Sequence, residues 1–284
     1  MTMKKTYKRV LTIAGSDSGG GAGIQADIKA ISAMGCYAAS AITAVTVQNT
    51  IGVQAVHPVP LDILEGQIDA VLSDIGADAV KIGMLHSAEV VDLVVRMIEK
   101  YRIHNLVLDP VMVSTSGHRL IEESAIEVIK EKLMPLVKVL TPNVPEAEIL
   151  IGRKISGEED FPEVAKELAE KYGISVFLKA GHLTGDTLTD YFYNVENCGR
   201  IHADNMRRTE DCVMTLLPSK RVYTQNTHGT GCTLSSAIAA ALAKGEDLTS
   251  AAKSAKSYLE EAIISGADYE IGHGHGPVNH FWRQ

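Results

Sequence analysis

Strand-length apolar runs and helix-period segments alternate along almost the whole chain. Residues 10–14 read as a buried strand and lead into a glycine-rich turn. A helix follows with Ile24, Ile28 and Ile31 on one face, ended near Gly35. Residues 41–47 form a second strand, and residues 61–73 a helix with Leu64, Ile68 and Leu72 in step. Short apolar runs recur at 79–82, 106–108, 137–140 and 176–178, with helical stretches at 88–100, 122–133, 145–151 and 161–172. This alternation predicts βαβ units and an α/β fold whose mainly parallel sheet is covered on both faces. Ligands of such sheets sit beyond the carboxyl ends of the strands. The polar residues that close the apolar runs are therefore of interest: Asp17, Gln48, Lys81, Asp109, Asn143 and Lys179.

No internal repeat, low-complexity block or interdomain linker interrupts the pattern, so residues 1–284 read as a single domain. Residues 194–223 break the rhythm. They are polar, carry Arg200, Arg207, Arg208, Lys220 and Arg221, and read as a long loop or an extra surface hairpin.

Composition narrows the classes further. With 45% hydrophobic and 22% charged residues, the chain matches an ordinary globular protein. Its net charge of −8 and the lack of a long basic run argue against nucleic acid as a partner. The apolar stretch at 10–14 is too short for a signal peptide, and no segment approaches the roughly 20 apolar residues of a membrane span. Cys36, Cys198, Cys212 and Cys232 form no Cys-x-x-Cys pair, which points to a reducing cytoplasm. His273-Gly274-His275 supplies two ligands and falls short of a metal site.

Two glycine clusters carry candidate chemistry. The first, residues 14–23, has neither the G-x-G-x-x-G spacing of a dinucleotide turn nor a Walker ending. It reads either as a plain strand-to-helix turn or as backbone that approaches a substrate closely. The second is Gly229-Thr230-Gly231-Cys232, which runs directly into an Ala- and Ser-rich helix. The first amides of a helix lack intrahelical partners, and the helix dipole favours negative charge there. The same field is expected to lower the pKa of Cys232. The turn reads as an anion cradle, against the alternative of a capped helix with an inert cysteine.

The remaining candidates stay open on their residues alone. Asp109 before Pro110 is either a turn former or a carboxylate that orders Mg²⁺ or its water shell. Asn143 and Glu146 around Pro145 either start a helix or face metal and phosphates. Lys179 either meets a phosphate or is an ordinary surface lysine.

Six stretches occur in order: residues 14–27, Lys81-Ile82-Gly83-Met84-Leu85, 107–112, Thr141-Pro142-Asn143-Val144-Pro145-Glu146-Ala147, 179–183 and 226–233. Together they resemble the bacterial hydroxymethylpyrimidine/phosphomethylpyrimidine kinases of thiamine biosynthesis, in the ribokinase-like superfamily, over about residues 10–281. The resemblance implies a three-layer αβα sandwich, ATP and Mg²⁺ as cofactors, and a homodimer. It implies phosphorylation of 4-amino-5-hydroxymethyl-2-methylpyrimidine to the monophosphate and then the diphosphate. Gln48 would hold the aminopyrimidine, in a pocket lined by Gly15, Asp27, Met84 and Val111. Asp109, Asn143, Glu146, Lys179 and Thr230 would form the nucleotide side, with Asp109 and Glu146 reaching Mg²⁺ indirectly. Gly229, Thr230 and Gly231 match the anion hole. Cys232 stands where sugar-kinase relatives place an aspartate and would accept the substrate's hydroxyl proton. The chain departs from the family pattern at 194–223, where a longer segment implies an added hairpin beside the nucleotide.

Pyridoxal or pyridoxine is the rival alcohol, since related kinases share the glycine and cysteine arrangement. A regulatory module without turnover is the rival from another class, opposed by the retained Asp109, Lys179 and 229–232 turn. An NAD-linked oxidoreductase is disfavoured by the failed G-x-G-x-x-G spacing.

Overall fold

The computed structural model describes residues 5–112, 120–181, 185–196 and 213–283. Among them, nine strands form one sheet in the order β3-β2-β1-β4-β5-β6-β7-β8-β9. The parallel part comprises β1 (Arg9–Ser16), β2 (Tyr37–Gln48), β4 (Ala79–Ile82), β5 (Leu106–Leu108), β6 (Val139–Leu140) and β7 (Ser175–Leu178). Three strands run antiparallel to their neighbours at the two edges: β3 (Val53–Pro58), β8 (Thr187–Asn194) and β9 (Val213–Lys220).

The strands are apolar on both faces, and alternation assigns each residue to a layer. Leu11, Ile13, Val80, Ile82, Leu106, Leu108, Val176 and Leu178 pack into one core. That core is closed by α2 (Leu61–Ala70), α3 (Ala88–Tyr101), α4 (Glu123–Val128), α5 (Val144–Ile151) and α6 (Phe161–Tyr172). Val10, Ala79, Val107, Val139 and Phe177 point to the other face. There α1 (Gly23–Ala33), α7 (Thr230–Ala243) and α8 (Leu248–Gly266) complete the third layer. The expected three-layer αβα sandwich with a mainly parallel sheet is the observed fold.

Helix α7 explains how the site comes close to the sheet. Every residue from 233 to 243 is buried, mostly Ala and Ser, so neighbouring elements approach it on all sides. A large side chain here would overpack the layer at a cost of about 1–3 kcal/mol.

Some boundaries differ from those read in the sequence. The helices read at 61–73 and 122–133 each end in a π turn, at Val71–Ile75 and Ile129–Leu133. Residues 194–223 are not wholly loop, because β9 occupies Val213–Lys220 and pairs along the full length of β8. Its Pro218 is tolerated because β9 is an edge strand. The remaining part of that expectation, including Arg200, Arg207 and Arg208, lies outside the described residues.

Candidate active site

Between β1 and β4 the strand order reverses direction, and a cavity of about 800 Å³ opens over that edge. Gly15, Gln48, Met84 and Val111 line it, as do Asp109, Asn143, Glu146 and Lys179. The turn from Gly229 to Cys232 lines it as well.

The turn is shaped by Gly229, which caps α7 in the left-handed region at φ 78°. A Cβ there would also lie 1.8 Å from the carbonyl oxygen of Gly21, so the two glycine clusters are packed against each other. Thr230 N–H donates to Thr227 O at 3.4 Å and the ladder of α7 starts with Thr233 N–H donating to Gly229 O, which leaves the Gly231 and Cys232 amides in the first turn without an intrahelical partner. This is the geometry of an anion cradle.

Beside the cradle stands a cation. Lys179 Nζ donates to Asp109 Oδ1 at 2.9 Å and lies 3.8 Å from Glu146. A Cβ on Gly231 would sit 3.3 Å from Lys179 Nζ, which fixes the ammonium against the turn. Thr141 Oγ1 donates to Asp109. Burial works against the charge of Asp109, but Lys179 and Lys81 hold its carboxyl below the usual range. Glu146 goes the other way. Burial and the Asp109 charge outweigh Lys179 and push its carboxyl up to about 7.

Asn143 and Glu146 also start α5, and the helix-start reading is realised in full. Asn143 Oδ1 accepts from Glu146 N–H, and Glu146 Oε2 accepts from Asn143 N–H, a reciprocal capping box. Since Oδ1 is committed to the cap, Asn143 has its Nδ2 group for a ligand.

Two expectations are corrected. Asp27 does not line the cavity. It lies on the inward face of α1, fully buried, where Lys81 Nζ donates to both its oxygens at 2.9 Å and Thr12 and Ser236 add further bonds. Thr12 and Lys81 are paired across β1 and β4 and point to the α1 face, so the carboxylate is consumed beneath the cavity floor. The thiol of Cys232 is not acidified either. Burial pushes it up to about 12, with Asp27 and Asp109 adding to the shift against Lys81 and the Gly23 amide that donates to the sulfur. Desolvation outweighs the Lys81 charge and that amide.

His228 was not assigned a role from the sequence, although it directly precedes the cradle. It lines the cavity, and its Nε2 lies 2.9 Å from Asp17 Oδ2. Lys220 and Arg221, at the end of β9, line the same cavity. The hydrophobic pattern gave no sign of that strand's position.

An anion cradle flanked by a lysine, in a cavity sized for small molecules, equips the chain for moving a phosphoryl group onto a small acceptor. That places it among the small-molecule phosphotransferases. Comparison with known proteins makes the class specific. The family described as phosphomethylpyrimidine kinase matches residues 17–279. The hydroxymethylpyrimidine/phosphomethylpyrimidine kinase of Rhizobium meliloti is 46% identical over 96% of this chain and 97% of its own. Among solved structures, phosphomethylpyrimidine kinase from Clostridium difficile is 41% identical with TM-score 0.74, covering 90% of this chain and 99% of that one. The pyridoxal kinase of Staphylococcus aureus, in complex with AMP-PCP and pyridoxal, is 32% identical with TM-score 0.83, covering 98% and 94%. The chain belongs to the phosphomethylpyrimidine kinase family, with the ribokinase-like fold.

Proposed function

We propose that this kinase transfers the terminal phosphoryl group of ATP to the hydroxymethyl group of 4-amino-5-hydroxymethyl-2-methylpyrimidine, and then adds a second phosphate to the monophosphate. The observation that carries the reading is the positive-φ turn at Gly229, which sets the first amides of α7 beside Lys179 in the same cavity as Gln48. A nucleotide analogue bound to the similar pyridoxal kinase supports ATP as the donor.

Phosphoryl transfer asks mainly for in-line positioning and for neutralisation of charge. The amides of Gly231 and Cys232 would hold the transferred group, joined by that of Thr230 if it turns from Thr227 O, and Lys179 would follow its charge. Gln48, Gly15, Met84 and Val111 would hold the pyrimidine. Asn143 and Thr230 would contact the nucleotide. Asp109 and Glu146 are hard oxygen donors, and Mg²⁺ is commonly held by one or two carboxylates together with nucleotide phosphates. The donor set therefore fits an ion shared with ATP, which would supply charge neutralisation. Burial raises the pKa of the Cys232 thiol, and only the thiolate can accept the alcohol proton, so a base role would require Cys232 first to lose its own proton to solvent when substrate and nucleotide bind.

Exposed Tyr37, Val45, Val47 and Ile51 on and beside β2 support a homodimer through this end of the sheet. The free thiols of Cys36 and Cys232 suit a reducing cytoplasm.

The second reading, phosphorylation of pyridoxal or pyridoxine, draws on the close structural match to the pyridoxal kinase. A competition assay decides between them. The pyrimidine should give the higher kcat/KM. A higher value for pyridoxal would overturn the assignment, and no ADP release with any of these alcohols would revive a binding module without turnover.

A further inference from the structure

We propose that Asn226 is a positioning residue for phosphoryl transfer. Its side-chain amide ties the turn before the cradle to the C-terminal end of α8, and so fixes the direction of the Gly231 and Cys232 amides. The inference rests on the reading of those amides as the holders of the transferred group.

Asn226 is buried, three residues before Gly229. The last carbonyls of a helix have no intrahelical donor and must find one elsewhere. The two hydrogens of Asn226 Nδ2 go to Gly266 O at 2.8 Å and Tyr269 O at 2.6 Å. Ala267 O lies 3.3 Å from the same nitrogen and takes the hydroxyl hydrogen of Thr224 at 3.0 Å. Thr224 Oγ1 in turn accepts from Asn226 N–H at 3.1 Å. Each hydrogen in this group is used once. Carbonyls only accept, so the amide has one orientation, with Nδ2 toward the helix end and Oδ1 toward Gly276.

The tie reaches the cradle along a short, braced path. His228 N–H donates to Gly276 O at 3.0 Å. The same glycine faces Asn226, since a Cβ on Gly276 would lie 2.0 Å from Asn226 Oδ1. Gly229 then turns at φ 78° into α7. Helix α8 is itself a wall of the cavity, through Leu259, Glu260 and Ile263. Asn226 therefore holds the cradle in register with the wall that α8 presents to the ligands. The residues read as holding the pyrimidine stand on β1, β2 and the segments that follow β4 and β5, outside this network.

Removal of the amide should therefore lower the rate and spare pyrimidine binding. A misplacement of about 1 Å in a catalytic arrangement can cost on the order of 10²-fold. A carboxylate of the same shape would be worse than a methyl group, since it faces three carbonyl oxygens with no hydrogen to give. A role in packing alone predicts the opposite order, because aspartate keeps the volume of asparagine.

The test compares Asn226→Ala, Asn226→Asp, Gly276→Ala and the Asn226→Ala/Gly276→Ala double variant. Steady-state assays use the hydroxymethylpyrimidine and ATP at a temperature well below every unfolding midpoint. Asn226→Ala should lower kcat roughly 10–100-fold, with the KM for the pyrimidine within about twofold of wild type. Asn226→Asp should lose more than Asn226→Ala near about pH 8. Relative to the alanine variant it should recover near about pH 6, where burial leaves much of the carboxyl protonated and able to donate one bond. Gly276→Ala should lower kcat roughly threefold to tenfold by displacing the amide, and should add little once Asn226 is alanine, because the clash is gone. Three results would overturn the proposal while leaving the cradle reading intact: an unchanged kcat in Asn226→Ala, an Asn226→Asp variant nearer wild type than Asn226→Ala, or an equal Gly276→Ala loss in both backgrounds. Should the Asn226 variants fail to fold, Gly276→Ala alone decides. A lowered kcat at an unchanged pyrimidine KM supports the tie, and a normal kcat refutes it. Absence of phosphorylated product from the wild-type enzyme would overturn the cradle reading itself.

Discussion

Of the buried lysine–aspartate pairs close to the cavity, Lys81–Asp27 and Lys179–Asp109 share an N–O distance of 2.9 Å, and their surroundings differ. Lys81 and Asp27 are fully buried, and Asp27 is bonded further to Thr12 and Ser236, so the charges are matched and the carboxylate's acceptors are taken, although Lys81 also borders the cavity. Lys179 and Asp109 line the cavity wall, and Glu146 stands 3.8 Å away with a raised carboxyl pKa. One cation there faces two carboxyl groups, which leaves capacity for a further cation or for a phosphate that draws Lys179 away. The comparison teaches that residue type and bond length do not mark a functional ion pair. Closure of its hydrogen bonds does.

The comparison would break most visibly in stability. Asp27→Ala strands a buried ammonium and should cost about 3–5 kcal/mol in urea unfolding. Replacing both partners, as Lys81→Met with Asp27→Leu, should recover much of that loss. A cost below about 1 kcal/mol for Asp27→Ala would mean that the closed pair is not structural. Lys179→Met should do the reverse. It should lower kcat by about 10²–10³-fold, the range for removing one donor to developing charge. Its loss of stability should be smaller than that of Asp27→Ala, since water can reach Asp109 through the cavity.

Cys232 lies between the pairs, with both Lys81 and Asp109 acting on its thiol. An alcohol must lose a proton to attack, whereas a phosphate monoester is already anionic near neutral pH. Cys232→Ala should slow the first phosphorylation on the order of 10²-fold and the second by much less. Equal losses in single-turnover assays of the two steps would point to positioning alone.

The smallest effect is a change in pH dependence. The carboxyl of Glu146 is raised from 4.5 to about 7 in the folded chain, so folding favours its protonated form. Its contribution to stability is full below about 4.5 and is lost as pH rises through about 7. Glu146→Gln keeps the helix cap and removes the titration. Relative to wild type, the variant should gain on the order of 1–3 kcal/mol between pH 5 and pH 8 in thermal unfolding. An unchanged difference would show that Glu146 ionises normally and that the open pair carries no surplus charge.

Much of this was legible in the sequence because strand ends and helix starts are local signals. The apolar runs located β1, β4, β5 and β7, and the polar residues closing them, Asp109 and Lys179 among them, do meet at the cavity. Edge strands were harder. β3 is mostly exposed and carries Gln54 and His57, so no apolar run announces it, and β9 hides in a polar stretch. Asp27 was misplaced because a motif gives adjacency in sequence and not the face of α1 on which a side chain falls. The thiol was misjudged because a helix N-terminus is visible in sequence and desolvation is not. The Asp17–His228 contact joins residues 211 positions apart, beyond any local pattern.

The most direct measurement of the central claim is a mass-resolved time course of the wild-type enzyme with ATP and 4-amino-5-hydroxymethyl-2-methylpyrimidine. The account predicts a monophosphate that rises and is then consumed as the diphosphate accumulates, with two ADP released for each diphosphate formed. Accumulation of monophosphate alone would contradict the second step. Absence of both products, with no ADP released, would contradict the assignment of the site.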